Sequence, residues 1–289
     1  LIPPSSIQIM YAWVTGQSVL ACFLSTITPG LILAALMCIV QHFQVRKLDS
    51  IEQNRSPKLD MHFKPFVKRT GKAIPALLMP VIVLGGIYGG FLTTMEAAAV
   101  AAVYCVPVAI CIYKGMKWKD LWPTLINSGY NCGAIAMMLM ACSVLSRIFT
   151  TEHVPQTLVD ATMGITDSKV IIMIMINLIM VILGMLMDDG SAIVLSTPLL
   201  LPIATSIGIN PIHYAAIMGV NLGMGNITPP TAPFLYLGGR IFKTSAAKMI
   251  KPCLLIILFA YVPTLILTTY WPELALFLPR LIMGPQFAG

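Results

Sequence analysis

Two proline pairs and one pair of acids are the residues of this chain whose type and spacing could do chemistry. Ile2-Pro3-Pro4-Ser5-Ser6 opens the sequence, and Gly223-Met224-Gly225-Asn226-Ile227-Thr228-Pro229-Pro230-Thr231 lies inside the long stretch from Ile212 to Arg240. Proline has no backbone N–H and its ring clashes with the preceding turn, so a proline pair opens a helix and bares carbonyl oxygens. Asp188 and Asp189 follow an apolar run and precede Gly190-Ser191-Ala192. A charge at the centre of a bilayer costs roughly 2.5–3.5 kcal/mol on insertion scales, so acids at that depth ordinarily face a site. Bared carbonyls, with the hydroxyls of Ser191, Thr228 and Thr231, are ligands for a hard cation such as Na+. The unpaired N–H groups at half-helix N-termini suit a carboxylate, and Asn226 can serve either ligand. Taken singly, each hydroxyl has a plainer use in a local backbone hydrogen bond.

Catalytic patterns are absent from the sequence. His42, His62, His153 and His213 are scattered, and the seven cysteines include no C-x2-C pair. Intramembrane aspartyl proteolysis needs two Asp on different helices meeting at one water. Here the acids at membrane depth are sequence neighbours, which makes that chemistry the weakest alternative. A Gly-Lys-Ser/Thr phosphate loop is also missing. The residues point to binding rather than bond making.

The elements that must position them follow from composition. Of 289 residues, 57% are hydrophobic and 10% charged, against about 25% charged in an ordinary soluble domain. Runs long enough to cross hydrocarbon as helices occur at Val19–Phe43, Ile74–Phe91, Ala97–Tyr113, Leu121–Phe149, Val170–Met187 and Cys253–Trp271. None shows the alternation of a membrane strand. The fold class expected is an all-α membrane protein, a polytopic helical bundle. Fifteen of the eighteen Lys and Arg fall in three loops, Arg46–Lys72, Lys114–Lys119 and Arg240–Lys251. The positive-inside rule makes these loops cytoplasmic, and span parity then places Thr150–Ser168 outside. The net charge of +7 is therefore topological. No aromatics interleave with the basic residues as a nucleic-acid surface requires, so no nucleic-acid partner is expected.

The two breaks resemble each other. Each has an apolar residue, Pro-Pro and a hydroxyl residue, then a tyrosine (Tyr11, Tyr236), a serine turn (Ser18, Ser245) and a proline opening the next run (Pro29, Pro252). Parity points the half-helix after Pro4 outward and the one after Pro230 inward, the pattern of inverted repeats in a transporter. Asp188-Asp189 sits between an apolar run and a short arm, Ile193–Pro202, which is expected to form a re-entrant hairpin with its tip near the midplane. An ordinary short cytoplasmic turn is the alternative. Gly85/Gly89 and Gly86/Gly90 read as close-packing pairs between helices. Glu96 reads as an acid at a helix N-terminus behind Thr94. The chain begins at Leu1 rather than Met, in what reads as the middle of an element, and a fragment is expected.

Taken in order, Ile2–Ser5, Pro80–Ala99, Gly184–Pro202, Gly208–His213 and Asn221–Pro230 resemble the large membrane subunit of TRAP (tripartite ATP-independent periplasmic) transporters. The resemblance covers nearly the whole chain. It implies a multi-pass protein of the bacterial inner membrane, not an enzyme. It further implies Na+ as the coupling ion with no other cofactor, and import of organic acids by an elevator-like motion. The implied partners are a small TRAP membrane subunit, a periplasmic solute-binding protein and the lipid bilayer.

Divided on this basis, residues 1–18 end a first-repeat broken helix, and 19–73 are a transmembrane helix and basic loop. Residues 74–168 are scaffold-type helices, 169–211 a re-entrant hairpin, 212–251 a broken helix and basic loop, and 252–289 a final transmembrane helix and tail. The expected cation ligands are Asp188, Gly190, Ser191, Gly225, Thr228, Pro230 and Ile2. The expected solute contacts are Ser5, Ser191, Asn226 and Thr231. Ile2–Ser6 would belong to a second cation site with a first hairpin that the family carries before the position of Leu1. A chain without that half is expected not to transport. Asp189-Gly190 and Thr231-Ala232-Pro233 depart from the family pattern, so the solute does not carry over. A single-component ion-coupled carboxylate carrier stays open as the alternative.

Overall fold

The computed structural model of the chain describes residues 1–46, 63–166, 168–229, 232–241 and 244–284. Every regular element among them is helical. In order these are α1 (Ser6–Thr15), α2 (Val19–Arg46), α3 (Phe63–Tyr88), α4 (Thr94–Pro107), α5 (Trp118–Thr151), α6 (Val154–Ile165) and α7 (Lys169–Leu186). There follow α8 (Asp189–Ser206), α9 (Pro211–Gly225), α10 (Pro233–Ile241), α11 (Ala246–Ile256), α12 (Val262–Tyr270) and α13 (Glu273–Met283). A π-helical turn, Val108–Ile112, extends α4, and another, Ile257–Tyr261, joins α11 to α12. Among the described residues five helical stretches are long and apolar enough to cross a membrane: Val19–Arg46, Thr94–Ile112, Trp118–Thr151, Lys169–Leu186 and Lys248–Tyr270. The chain is an all-α, multi-pass membrane protein.

The helices form two compact units, Leu1–Lys47 with Met138–Gly289, and Leu48–Met137. In the larger unit α9 is the centre. Apart from His213, Tyr214 and Asn221 its sequence is apolar or small, which in a helix means burial all round, and Ile212 to Leu222 are buried without interruption. Helices α7, α2, α8, α12, α13 and α1 pack against it. Tyr11 of α1 and Tyr214 of α9 meet in this core with ring centroids 6.1 Å apart. The Tyr11 hydroxyl donates to the Pro211 carbonyl at 2.7 Å, at the first turn of α9. That turn is set locally: Asn210 Oδ1 accepts from Ile212 N at 2.7 Å, and Pro211 takes the first helical position, where its missing N–H is no loss.

In the smaller unit α3 packs on α4. Pro75 lies within α3, and tyrosines hold the backbone around it. The Tyr104 hydroxyl donates to the Pro75 carbonyl at 2.8 Å and the Tyr113 hydroxyl accepts from Ala76 N at 3.2 Å. Polar side chains thus bond backbone groups beside a proline in a helix read as lying in the membrane. Helix α4 begins with a capping box in which Thr93 Oγ1 accepts from Glu96 N and Glu96 accepts from Thr93 N. The cap is Thr93, not the Thr94 expected from the sequence.

Several other expectations are corrected. The arm after Asp189 is not short: α8 and α7 each run 18 residues, about 27 Å at 1.5 Å per residue, because Pro198 and Pro202 are accommodated inside α8 rather than ending it. Likewise Pro29 and Pro252 lie within α2 and α11 instead of opening them. Gly86 and Gly89 do not bring another helix close. A Cβ on Gly86 would meet Leu92 and one on Gly89 would meet Phe91, since these glycines let the chain fold back at the end of α3, with Gly90 at φ +71°. The segment Thr150–Ser168, whose expected place outside is untouched by this, contains α6, which packs on α8. The tail beyond Trp271 forms α13, which packs along α2 through Leu276 and Ala21.

Candidate functional site

The sequence folds α7 and α8 into a helical hairpin whose tip is two residues long. Met187 and Asp188 are extended, and Asp188 Oδ2 accepts from Gly190 N at 3.0 Å and Ser191 N at 3.3 Å, capping α8. This use of Asp188 turns the next side chain, Asp189, to the other break. Asp189 Oδ1 accepts from Asn226 Nδ2 at 2.9 Å. Asn226 is the residue at which α9 ends, and it is buried to 5% exposure. A bond of this type, a carboxylate accepting from a buried amide, is worth more than a neutral one, about 1.5–3 kcal/mol.

The hairpin reaches this position because α7 and α9 cross at bare backbone. Gly184 and Gly225 face each other, and a Cβ on Gly225 would stand 2.7 Å from Gly184 Cα. Above the crossing, buried polar groups join three helices. Asn221 Nδ2 donates to Asn177 Oδ1 at 2.9 Å, and Asn177 Nδ2 donates to Thr269 Oγ1 at 3.0 Å. His213 Nε2 and the Thr268 carbonyl lie 2.6 Å apart, tying α9 to α12 a second time.

Beside Asp189 and Asn226 lies a cleft of about 460 Å³. Both break motifs line it. Ile2, Pro4 and Ser5 come from the first, and Gly223 and Asn226 from the second, with Asp189 of the hairpin between them. The N-terminus of α1 also opens here, and its cap residue Ser5 makes no side-chain capping bond. Unpaired N–H groups at a helix start carry partial positive charge and suit an anionic oxygen. The cleft therefore joins one carboxylate, one amide, the hydroxyl residues Ser5, Ser6 and Tyr261 and a helix N-terminus in an otherwise apolar wall, a donor set for a small cation and an acidic solute.

Of the expected residues, Ile2, Ser5 and Asn226 are thus brought together. Others are not in the lining. Asp188 is engaged in its cap, and Gly190 stands beside it. Ser191 is buried at 3% exposure within the first turn of α8. Gly225 is at the helix crossing, and its carbonyl accepts from Thr228 N at 3.0 Å. Thr228 Oγ1 donates to the Met224 carbonyl at 2.6 Å, which leaves the hydroxyl's lone pairs available. Pro230 and Thr231 lie outside the described residues.

Two contributors are missing from the expected ligands and solute contacts. Asp189 could have been found by an N-cap argument: in Asp188-Asp189-Gly190-Ser191 the first acid is the one that reaches the N–H groups two and three residues on, which frees the second. Tyr261, which also lines the cleft, belongs to the π-helical turn between α11 and α12, and nothing in its sequence surroundings signals that.

Comparison with known proteins supplies the family. The chain is 31% identical over 277 residues to the isethionate TRAP transporter permease protein DctMQ of Oleidesulfovibrio alaskensis, covering 96% of this chain and 43% of that protein. It is 33% identical to the C4-dicarboxylate TRAP transporter large permease protein DctM of Vibrio cholerae, covering 99% and 66%. To the sialic acid TRAP transporter large permease protein SiaM of Vibrio cholerae it is 28% identical, covering 98% and 65%. The chain thus spans between 43% and 66% of the length of these relatives. The family model described as "Tripartite ATP-independent periplasmic transporter, DctM component" matches residues 1–274. With that match running over almost its full length, the chain belongs to the DctM family of tripartite ATP-independent periplasmic transporters.

Proposed function

We propose that this chain belongs to the large membrane subunit of a sodium-coupled importer of organic acids in the bacterial inner membrane. The single observation that carries the proposal is the cleft where both proline breaks and the hairpin tip meet at Asp189 and Asn226. Oxygen donors of a broken helix beside a carboxylate are what a hard monovalent cation needs. The open N-terminus of α1 is what a solute carboxylate needs. Names of the relatives, isethionate, C4-dicarboxylate and sialic acid, support an acidic solute as a class and leave its identity open.

In this reading the α7–α8 hairpin is re-entrant and the α9–α10 break is the second of two inverted repeats. Cation ligands come from Asp188, Gly190, Ser191, Gly225, Thr228, Pro230 and Ile2, and solute contacts from Ser5, Ser191, Asn226 and Thr231. The segment 74–168 belongs to a scaffold past which the rest moves as an elevator. A small membrane subunit and a periplasmic solute-binding protein complete the system. The test is solute uptake into proteoliposomes by the full-length protein with both partners, with and without an inward sodium gradient. Uptake that needs sodium and the binding protein is expected. Sodium-driven uptake without any binding protein would favour a single-component carrier instead.

A further inference from the structure

A second concavity lies away from the cleft, between α2 and α11. Leu36, Ile39, Val40 and Phe43 of α2 face Leu255 and Phe259 across a groove of about 400 Å³. At one end Gln44 lines it and donates through Nε2 to the Pro252 carbonyl at 3.3 Å, which pins the two helices there. The groove continues past that bond as charge. On α2, Arg46 stands three residues beyond Phe43. On α11, Lys251 and Lys248 precede Leu255 by four and seven residues, so they occupy the same helical stripe as Leu255 and Phe259. The two helices run antiparallel at this point, so all three cations gather at the same end. Arg46, Lys248 and Lys251 are exposed, and among the described residues none has a carboxylate partner.

An apolar trough with a cluster of unpaired cations at one end matches one ligand class by shape and charge. We propose that this groove binds an anionic phospholipid, with an acyl chain along Leu36–Phe43 and Leu255–Phe259 and the phosphate held by Arg46, Lys248 and Lys251. The occupant is a lipid rather than a protein helix because the lining is made of apolar side chains of two helices and ends, among the described residues, in charge of one sign. Each basic residue near an anionic membrane surface attracts it measurably, so three together select headgroup charge strongly. In a chain whose basic loops read as cytoplasmic, the site would face the leaflet that carries acidic lipid.

The experiment uses the full-length protein with its small subunit, delipidated in neutral detergent and titrated with phosphatidylglycerol or phosphatidylcholine, bound lipid being counted by native mass spectrometry. Tighter retention of phosphatidylglycerol is expected. The triple variant R46Q/K248Q/K251Q should weaken that retention about tenfold or more while leaving phosphatidylcholine unchanged. Val40→Trp, which fills the trough and leaves the charges, should weaken it too. Equal retention of both lipids, or a triple variant that binds phosphatidylglycerol like the parent, overturns the proposal. So does a Val40→Trp protein with undiminished binding, since that would reduce the effect to diffuse surface charge. A complex that retains no lipid because its small subunit covers these residues also overturns it.

Discussion

Gly225→Ala offers a direct test of how the site is assembled. The added Cβ would stand 2.7 Å from both Gly184 Cα and Gly184 O, where ordinary contacts begin at about 3.4 Å. Gly184 C stands closer still, so helices α7 and α9 must part by ~1 Å at this level, because all three obstructing atoms are backbone and none can rotate away. Overpacking of that kind costs about 1–3 kcal/mol, against a gain of about 0.5–1 kcal/mol from replacing glycine in a helix. A net loss of about 1–2 kcal/mol is expected. The same displacement acts on the next residue. Asn226 holds Asp189 at 2.9 Å, and a separation of ~1 Å carries that pair beyond hydrogen-bonding distance. The assay is thermal unfolding of the full-length permease in detergent, alongside solute uptake. Gly133→Ala on α5, whose Cβ would meet nothing within 4 Å, is the control and should be at least as stable as the parent. A Gly225→Ala protein that unfolds at the temperature of the Gly133→Ala protein would refute the argument that this crossing positions the site.

Asn226→Asp should set two carboxylates facing each other at the hairpin tip. It is expected to lower uptake at least tenfold, and combining it with Asp189→Asn should restore part of the loss; no rescue in the double variant would exclude a direct pairing in the working protein. Thr228→Val removes a hydroxyl whose lone pairs are free to ligate, so the sodium concentration for half-maximal uptake should rise, and an unchanged sodium curve would remove Thr228 from the cation site. Thr93→Ala breaks the capping box of α4 and should cost about 0.5–2 kcal/mol in stability, measured by denaturation, with the sodium dependence of uptake unaltered.

Much of this arrangement is legible in the residues because a bilayer leaves few options. The charge-free run Val19–Phe43 marks α2 to within a turn of Val19–Arg46, and Val170–Met187 marks α7 equally closely. Hydrophobic length and the enforced pairing of backbone groups decide both. The breaks are legible too, since α9 ends at Gly225 and α10 begins at Pro233, on either side of the Pro229-Pro230 pair. Prolines elsewhere mislead. Pro198 and Pro202 read as limits of a short arm, yet α8 continues through both, and whether a helix tolerates proline depends on neighbours far away in sequence. Pair contacts are the least legible. That Asp189 meets Asn226, or that Gly184 meets Gly225, follows from how α7 lies on α9, and no local pattern encodes that register.

Asn177, Asn221 and Thr269 have a kinematic consequence. Asn221 is fully buried and Thr269 nearly so, and the chain of amide and hydroxyl contacts spans α7, α9 and α12. Sliding any one of these helices past the others would strand polar atoms away from water, at about 1–3 kcal/mol for each group. Large displacements inside this trio are thus disfavoured, and the three helices translate or rotate together as one lever. Any relative movement would then be taken up at their ends, at the hairpin tip and around Asn226, where the proposed binding groups lie.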